Sequence, residues 1–165
     1  MKPTIKTRTT TPCTGLPAVQ VVDTTYLQTL LGYNARRAAL TIIEVFLQRM
    51  AVYALRPVDF SVLSVIAHNP GVTSRQLCTT LGILPPNFVA MLANLEKRAL
   101  VQRQPHPSDK RAVALQLTQA GEKLMRDAEL TAQTLELDAS ARLTGAERKT
   151  LMRLLQKIYL PQAKT

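Results

Sequence analysis

Between Leu95 and Gly121 the hydrophobic pattern switches from helical spacing to alternation and back, and few folds accommodate that order. Leu95-Glu96-Lys97-Arg98-Ala99-Leu100-Val101-Gln102-Arg103 reads as a helix end running into a strand. Ser108-Asp109-Lys110-Arg111 follows as a basic tip, and Leu115-Gln116-Leu117-Thr118 as a second strand meeting a helix cap. Val101 and Arg103 alternate, as do Val113, Leu115 and Leu117, so one face of the hairpin is expected on the core. Pro105 and Pro107 stop the ladder from extending, which leaves Pro105 to Lys110 as a projecting wing. A positive hairpin directly behind a helix can place an arginine in a minor groove while the helix occupies the major groove.

The remainder of the chain reads as helices. Asp23 to Leu55 contains no proline and only Gly32, with Leu27, Leu30, Leu31, Ala38, Ile42, Val45, Phe46 and Arg49 at three- and four-residue spacings. That predicts one long amphipathic helix, bent near Gly32. About 30 residues would span roughly 45 Å, too long for so small a domain to cover, so a second chain is expected against it. Arg56-Pro57 ends this helix and starts a short apolar one through Phe60, Leu63, Val65, Ile66 and Ala67. After an Asn69-Pro70-Gly71 turn, Thr73 and Gln76 form a capping box for a brief helix ending at Leu81-Gly82. Pro85 and Pro86 open the next helix, which carries Phe88, Val89, Met91, Leu92 and Leu95. Two short helices joined by a tight turn are what a helix-turn-helix requires, and the second is the candidate recognition helix. Thr118 then caps a helix to about residue 141, and Thr144 with Glu147 opens a last one bearing Leu151, Leu154, Leu155 and Ile158.

Composition narrows the function. Lys and Arg outnumber Asp and Glu by 21 to 11 in 165 residues, a formal charge of +10 that suits a polyanionic partner, nucleic acid first. Residues 1–22 hold six threonines, three prolines and no acid, the composition of a flexible basic arm. No stretch approaches the roughly 18 apolar residues of a membrane helix, and no apolar block follows Lys2, Lys6 and Arg8 as a secretory signal requires. Cys13 and Cys78 are too few for a disulfide framework, so a reducing cytoplasm is the expected location. These cysteines with His68 and His106 lack metal-ligand spacing, and neither a phosphate loop nor a nucleophile elbow is present. Neither enzymatic activity nor a cofactor is expected.

The order and spacing of Pro57-Val58-Asp59-Phe60-Ser61-Val62-Leu63, Asn69-Pro70-Gly71-Val72-Thr73, the Leu95–Arg103 run, Asp109-Lys110-Arg111, Leu117-Thr118 and Gly121 resemble the MarR family of winged-helix transcription regulators. The resemblance implies a mainly α fold with a small β-hairpin wing: a winged helix-turn-helix core flanked by N- and C-terminal dimerisation helices. The expected divisions are 1–22, the arm; 23–55, a dimerisation helix; 56–118, the DNA-binding lobe; and 119–165, the C-terminal dimerisation helices. It further implies a homodimeric, sequence-specific repressor on an inverted-repeat DNA operator, released by a small aromatic or carboxylate-bearing ligand.

Site residues follow from the resemblance position by position. Arg111 of the Asp-x-Arg element would enter the minor groove with Asp109 orienting it and Lys110 beside it; a carboxylate two residues away braces a guanidinium at low entropic cost. Thr73, Ser74 and Arg75 would meet phosphates at a helix N-terminus, although capping alone accounts equally well for Thr73. Family members often carry serine or threonine near the start of the recognition helix and an arginine one turn on. Here the stretch is Pro85-Pro86-Asn87-Phe88-Val89-Ala90, with Ala90 in the arginine's place. Pro86 and Asn87 are left at the DNA-facing start, with Asn87 the best base reader and Asn94 two turns on. Ala99 stands where relatives have glycine. Tyr33, Arg36 and Arg37 on the first helix are candidates for an anionic ligand, with interface packing the alternative. Two other classes fit the residues: a winged helix used for protein interaction, and a sequence-independent nucleic-acid binder.

Overall fold

A computed structural model describes residues 22–105 and 112–160. The chain divides into two units, Met1–Ala35 and Arg36–Thr165.

In the first unit the expected continuous helix is interrupted. A single turn, α1 (Thr25–Gln28), is followed by a break, and α2 (Leu31–Met50) begins anew. The break falls at Thr29 and Leu30, before Gly32, and has a local cause. Thr29 Oγ1 donates to the Tyr26 carbonyl at 2.7 Å, while Asn34 Nδ2 donates to the carbonyls of Gln28 and Leu30 at 2.7 and 2.8 Å. Short polar side chains thus bond to backbone carbonyls that a continuous helix would use. The glycine is not the cause.

In the second unit α2 ends in a 3-10 turn, Ala51–Tyr53, closed by Ala54 in the left-handed region at φ 49°. Then come α3 (Pro57–His68), α4 (Ser74–Leu81), α5 (Pro85–Lys97), the antiparallel strands β1 (Val101–Pro105) and β2 (Val113–Leu117), α6 (Gln119–Ala139) and α7 (Gly145–Tyr159). The predicted starts and stops hold for chemical reasons. Pro57 occupies the first turn of α3, where the buried Asp59 carboxylate accepts from the Arg56 backbone N–H at 3.2 Å and from its guanidinium at 2.8 and 3.0 Å. Thr73 caps α4, with Gln76 Oε1 accepting from the Thr73 N–H at 2.9 Å. Thr144 and Glu147 do the same for α7. Gly82, at φ 63°, lets the chain leave α4.

The core is aliphatic. Val62, Leu63 and Ile66 of α3 meet Leu77, Phe88, Leu92, Leu95, Leu115 and Met125 in one buried cluster. Phe46 and Phe60 pack edge to face with centroids 5.6 Å apart. Such interdigitated burial is worth roughly 1.5–3 kcal/mol per large side chain and holds the lobe together.

The hairpin departs from simple alternation. Val113 is 47% exposed, and Ala114, on the opposite face, is buried beside Leu115. The cause lies far along the chain. The Gly71–Thr73 segment joins the outer edge of β2: Leu115 N–H donates to the Val72 carbonyl at 2.9 Å, Gly71 N–H to the Leu115 carbonyl at 3.3 Å, and Thr73 bridges Ala114. β2 is therefore flanked on both edges at its base, while β1 buries only Val101.

Candidate nucleic-acid interface

α4 and α5 form the helix-turn-helix, their axes turning through 117° across Gly82–Leu84. Phe88, Met91, Leu92 and Leu95 anchor α5 in the core and so fix which residues point outward. At 3.6 residues per turn the outward pole carries Pro86, Ala90, Ala93 and Lys97, with Asn87 and Asn94 along one edge and Val89 along the other. All seven are exposed. Asn87, Ala90 and Asn94 line an open groove of about 790 Å³ with Arg56, Gly82 and Leu84. Two prolines in the first turn leave Asn87 as the one N–H there, beside its own side-chain amide.

At the start of α4, Ser74 is half-buried and Arg75 exposed. The Thr73 hydroxyl is occupied: it donates to Gln76 Oε1 at 2.9 Å and accepts the Gln76 N–H at 3.4 Å. Asp109, Lys110 and Arg111, the expected wing tip, lie outside the described residues, as do His106 and Cys13.

Two ties between the recognition helix and its surroundings escaped the sequence reading. Arg103 of β1 donates to Glu96 of α5 through Nε at 2.6 Å and a terminal nitrogen at 3.3 Å, and this hydrogen bonding raises the Arg103 pKa above the ordinary guanidinium value. The wing base is thereby clamped to the helix. Arg98, at the end of α5, donates to the carbonyls of Tyr53 and Ala54 at 2.8 and 2.9 Å, tying α5 to the turn that ends α2. Both arginines were visible in the sequence. The reversal at Ala99 and Leu100 brings Arg103 back to Glu96, while Arg98 meets Tyr53 and Ala54 only through the packing of the lobe.

At Ala99 the chain adopts φ 53°, the left-handed conformation that glycine takes freely. One residue on, Gly121 of α6 packs against the backbone so closely that a Cβ there would lie 2.1 Å from the Leu100 carbonyl oxygen. Thr118 Oγ1 caps the Gly121 N–H at 3.1 Å and donates to the Ala99 carbonyl, so one knot joins the end of α5, both strands and α6.

Tyr33, Arg36 and Arg37 occupy successive turns of α2, the two arginines exposed and Tyr33 partly so. A cavity of about 380 Å³ lies elsewhere, between α3, β2 and α6, lined by Ile66, Gln116, Glu122, Met125, Arg126 and Glu129. On its α3 side His68 Nε2 lies 3.0 Å from Glu129 Oε1. No single described helix is long and apolar enough to cross a membrane.

A two-helix reader braced by a hairpin and mounted on long flanking helices is a winged helix-turn-helix, the architecture of DNA-binding transcriptional regulators. Residues 55–112 match the MarR family model. The chain is 29% identical over 136 residues to the putative transcriptional regulatory protein for the hcr operon of Thauera aromatica, covering 82% of each. It superposes with a TM-score of 0.77 on the transcriptional repressor CouR bound to a 23-mer DNA duplex, at 40% identity over 84% of this chain and 99% of that one. CouR bound to p-coumaroyl-CoA matches at a TM-score of 0.75 and 37% identity, covering 85% and 99%. The chain belongs to the MarR family of transcriptional regulators.

Proposed function

We propose that this regulator is a homodimeric repressor that binds an inverted-repeat operator and is released by a small carboxylate-bearing or aromatic ligand. The observation that carries the DNA half of this reading is the outward face of α5, held by four buried side chains in a lobe that superposes on a DNA-bound repressor. Asn87 reads a base edge and Asn94 supports it from two turns on. Ser74 and Arg75 hold phosphates; Thr73 serves as cap. Asp109, Lys110 and Arg111 form the wing tip, with Arg111 in the minor groove. Residues 56–118 make up the reading lobe, 23–55 and 119–165 the dimerisation elements, and 1–22 a basic arm.

Dimerisation is supported by the apolar surface that a single copy leaves bare. Leu40, Ile43 and Leu47 of α2, and Leu151, Leu154, Leu155 and Ile158 of α7, are between 39% and 64% exposed. Two copies would set their α5 helices about 34 Å apart, one turn of the duplex. CouR's binding of p-coumaroyl-CoA supports an aromatic ligand here, with Tyr33, Arg36 and Arg37 as the contacts for its anionic group. A ligand that shifts the lobe spacing unseats the pair from successive grooves, and only as far as its affinities for the two states differ.

Selection of random duplexes on the purified protein at near-physiological salt tests this. An inverted repeat with half-sites about 10 base pairs apart is expected. A featureless pool would instead identify a sequence-independent binder or a protein-interaction module.

A further inference from the structure

The exposed face of α5 is nearly bare of hydrogen-bonding groups. Between Asn87 on one edge and Lys97 at the far end it presents Pro86, Val89, Ala90 and Ala93. Val89 is 63% exposed, whereas Phe88, Met91, Leu92 and Leu95 of the same helix are buried. A single exposed aliphatic side chain is ordinary. Four apolar residues on the one face that the fold reserves for DNA form a chemically coherent surface. The helix carries a single acid, Glu96, and Arg103 neutralises it, so nothing on this face repels a phosphate backbone.

Among the groups that base pairs display in the major groove, one is apolar: the C5 methyl of thymine. We infer that Val89, with Ala90 and Ala93 beside it, recognises thymine C5-methyl groups, and that this alkyl contact carries much of the base selectivity of α5. The reading rests on the operator binding proposed above. Ala90 and Ala93 are small enough to let the helix backbone sit deep in the groove, which brings the Val89 isopropyl group and a thymine methyl within contact distance. Asn87 and Asn94 then supply the few directional hydrogen bonds that set register. The specificity is shaped by apolar fit.

The test uses the full-length protein and the duplex recovered by selection. Each thymine of one half-site is replaced in turn by deoxyuridine, which deletes the methyl and keeps every hydrogen-bonding atom. At least one replacement is expected to weaken wild-type binding about fourfold, the worth of one buried methyl. In Val89→Ala that same replacement should have no further effect, and thermal unfolding should be unchanged because the side chain is exposed. If no replacement changes Kd while the base preference persists, the helix reads through its amides or through groove shape, and the inference is overturned. A methyl effect undiminished in Val89→Ala would overturn it too, since another element would be making the contact. If Asn87→Ala and Val89→Ala both leave affinity and preference at wild-type values, α5 is not in the groove and the operator reading itself fails.

Discussion

Gly121→Ala sets two physical effects of opposite sign against each other. Alanine is the better helix former, by up to about 1 kcal/mol, and on local propensity the change should stabilise α6. The tertiary structure says otherwise. The new Cβ would stand 2.1 Å from the Leu100 carbonyl oxygen and 3.0 Å from its carbon, both backbone atoms that no rotamer change can move. Relief requires α6 and the Leu100 segment to part by about 1 Å, an overpacking penalty of roughly 1–3 kcal/mol. Parting also weakens the Thr118 N–H bond to the Leu100 carbonyl, now 3.0 Å, worth about 1 kcal/mol. The net expectation is a loss of about 1–3 kcal/mol, or roughly 2–12 °C in Tm for a chain of this size. Thermal and urea unfolding at one fixed protein concentration would measure it. Gly145→Ala, at the first position of α7 with nothing within 4 Å of the added methyl, is the control and should be neutral or slightly stabilising. A Tm for Gly121→Ala equal to or above wild type would refute the close-approach argument and leave propensity as the governing term.

Ala99→Gly should stabilise by about 1 kcal/mol, because an L-side chain at φ 53° carries a strain that glycine lacks; denaturant titration reads it directly. Glu96→Ala frees Arg103 and loosens the wing base, so duplex affinity should fall several-fold while the unfolding midpoint moves little, this being a partly exposed surface pair. Arg111→Ala should weaken operator binding in a protein that remains folded, as read by titration against the selected duplex; unchanged affinity would remove the wing tip from the interface. Hydrogen bonds from the Thr144 backbone and hydroxyl hold the Glu147 carboxyl below its ordinary value of 4.5. A lowered folded pKa gives stability that is present above pH 4.5 and lost as pH falls through the folded value. Glu147→Ala should therefore reduce stability near neutrality and flatten this acid limb in pH-dependent unfolding.

Much of the lobe was legible because its signals are local. Pro57, the Thr73–Gln76 and Thr144–Glu147 boxes, Gly82 and the Pro85-Pro86 start each act within one turn of helix, and each element begins or ends where they stand. The recognition helix followed from its spacing and its proline start, whereas Asn87 was singled out by the family resemblance and Asn94 by lying two turns on. The single long first helix failed for an equally local reason that hydrophobic periodicity does not sense, the competition of Thr29 and Asn34 side chains for backbone carbonyls. The strand pattern failed for a distant one. Ala114 is buried because Gly71–Thr73 lies against β2, a pairing between segments some forty residues apart.

By itself, then, the order of residues determined the kinds of element, their caps and the polar groups that α5 turns outward, since those depend on neighbours one to four positions away. Only the tertiary structure decided how the reader is held. The Glu96–Arg103 clamp, the grip of Arg98 on Tyr53 and Ala54, the left-handed Ala99 and the bare methylene of Gly121 against Leu100 all depend on close approach between different elements. Such approach is set by how a whole core packs, and core packing is a property of all its side chains together.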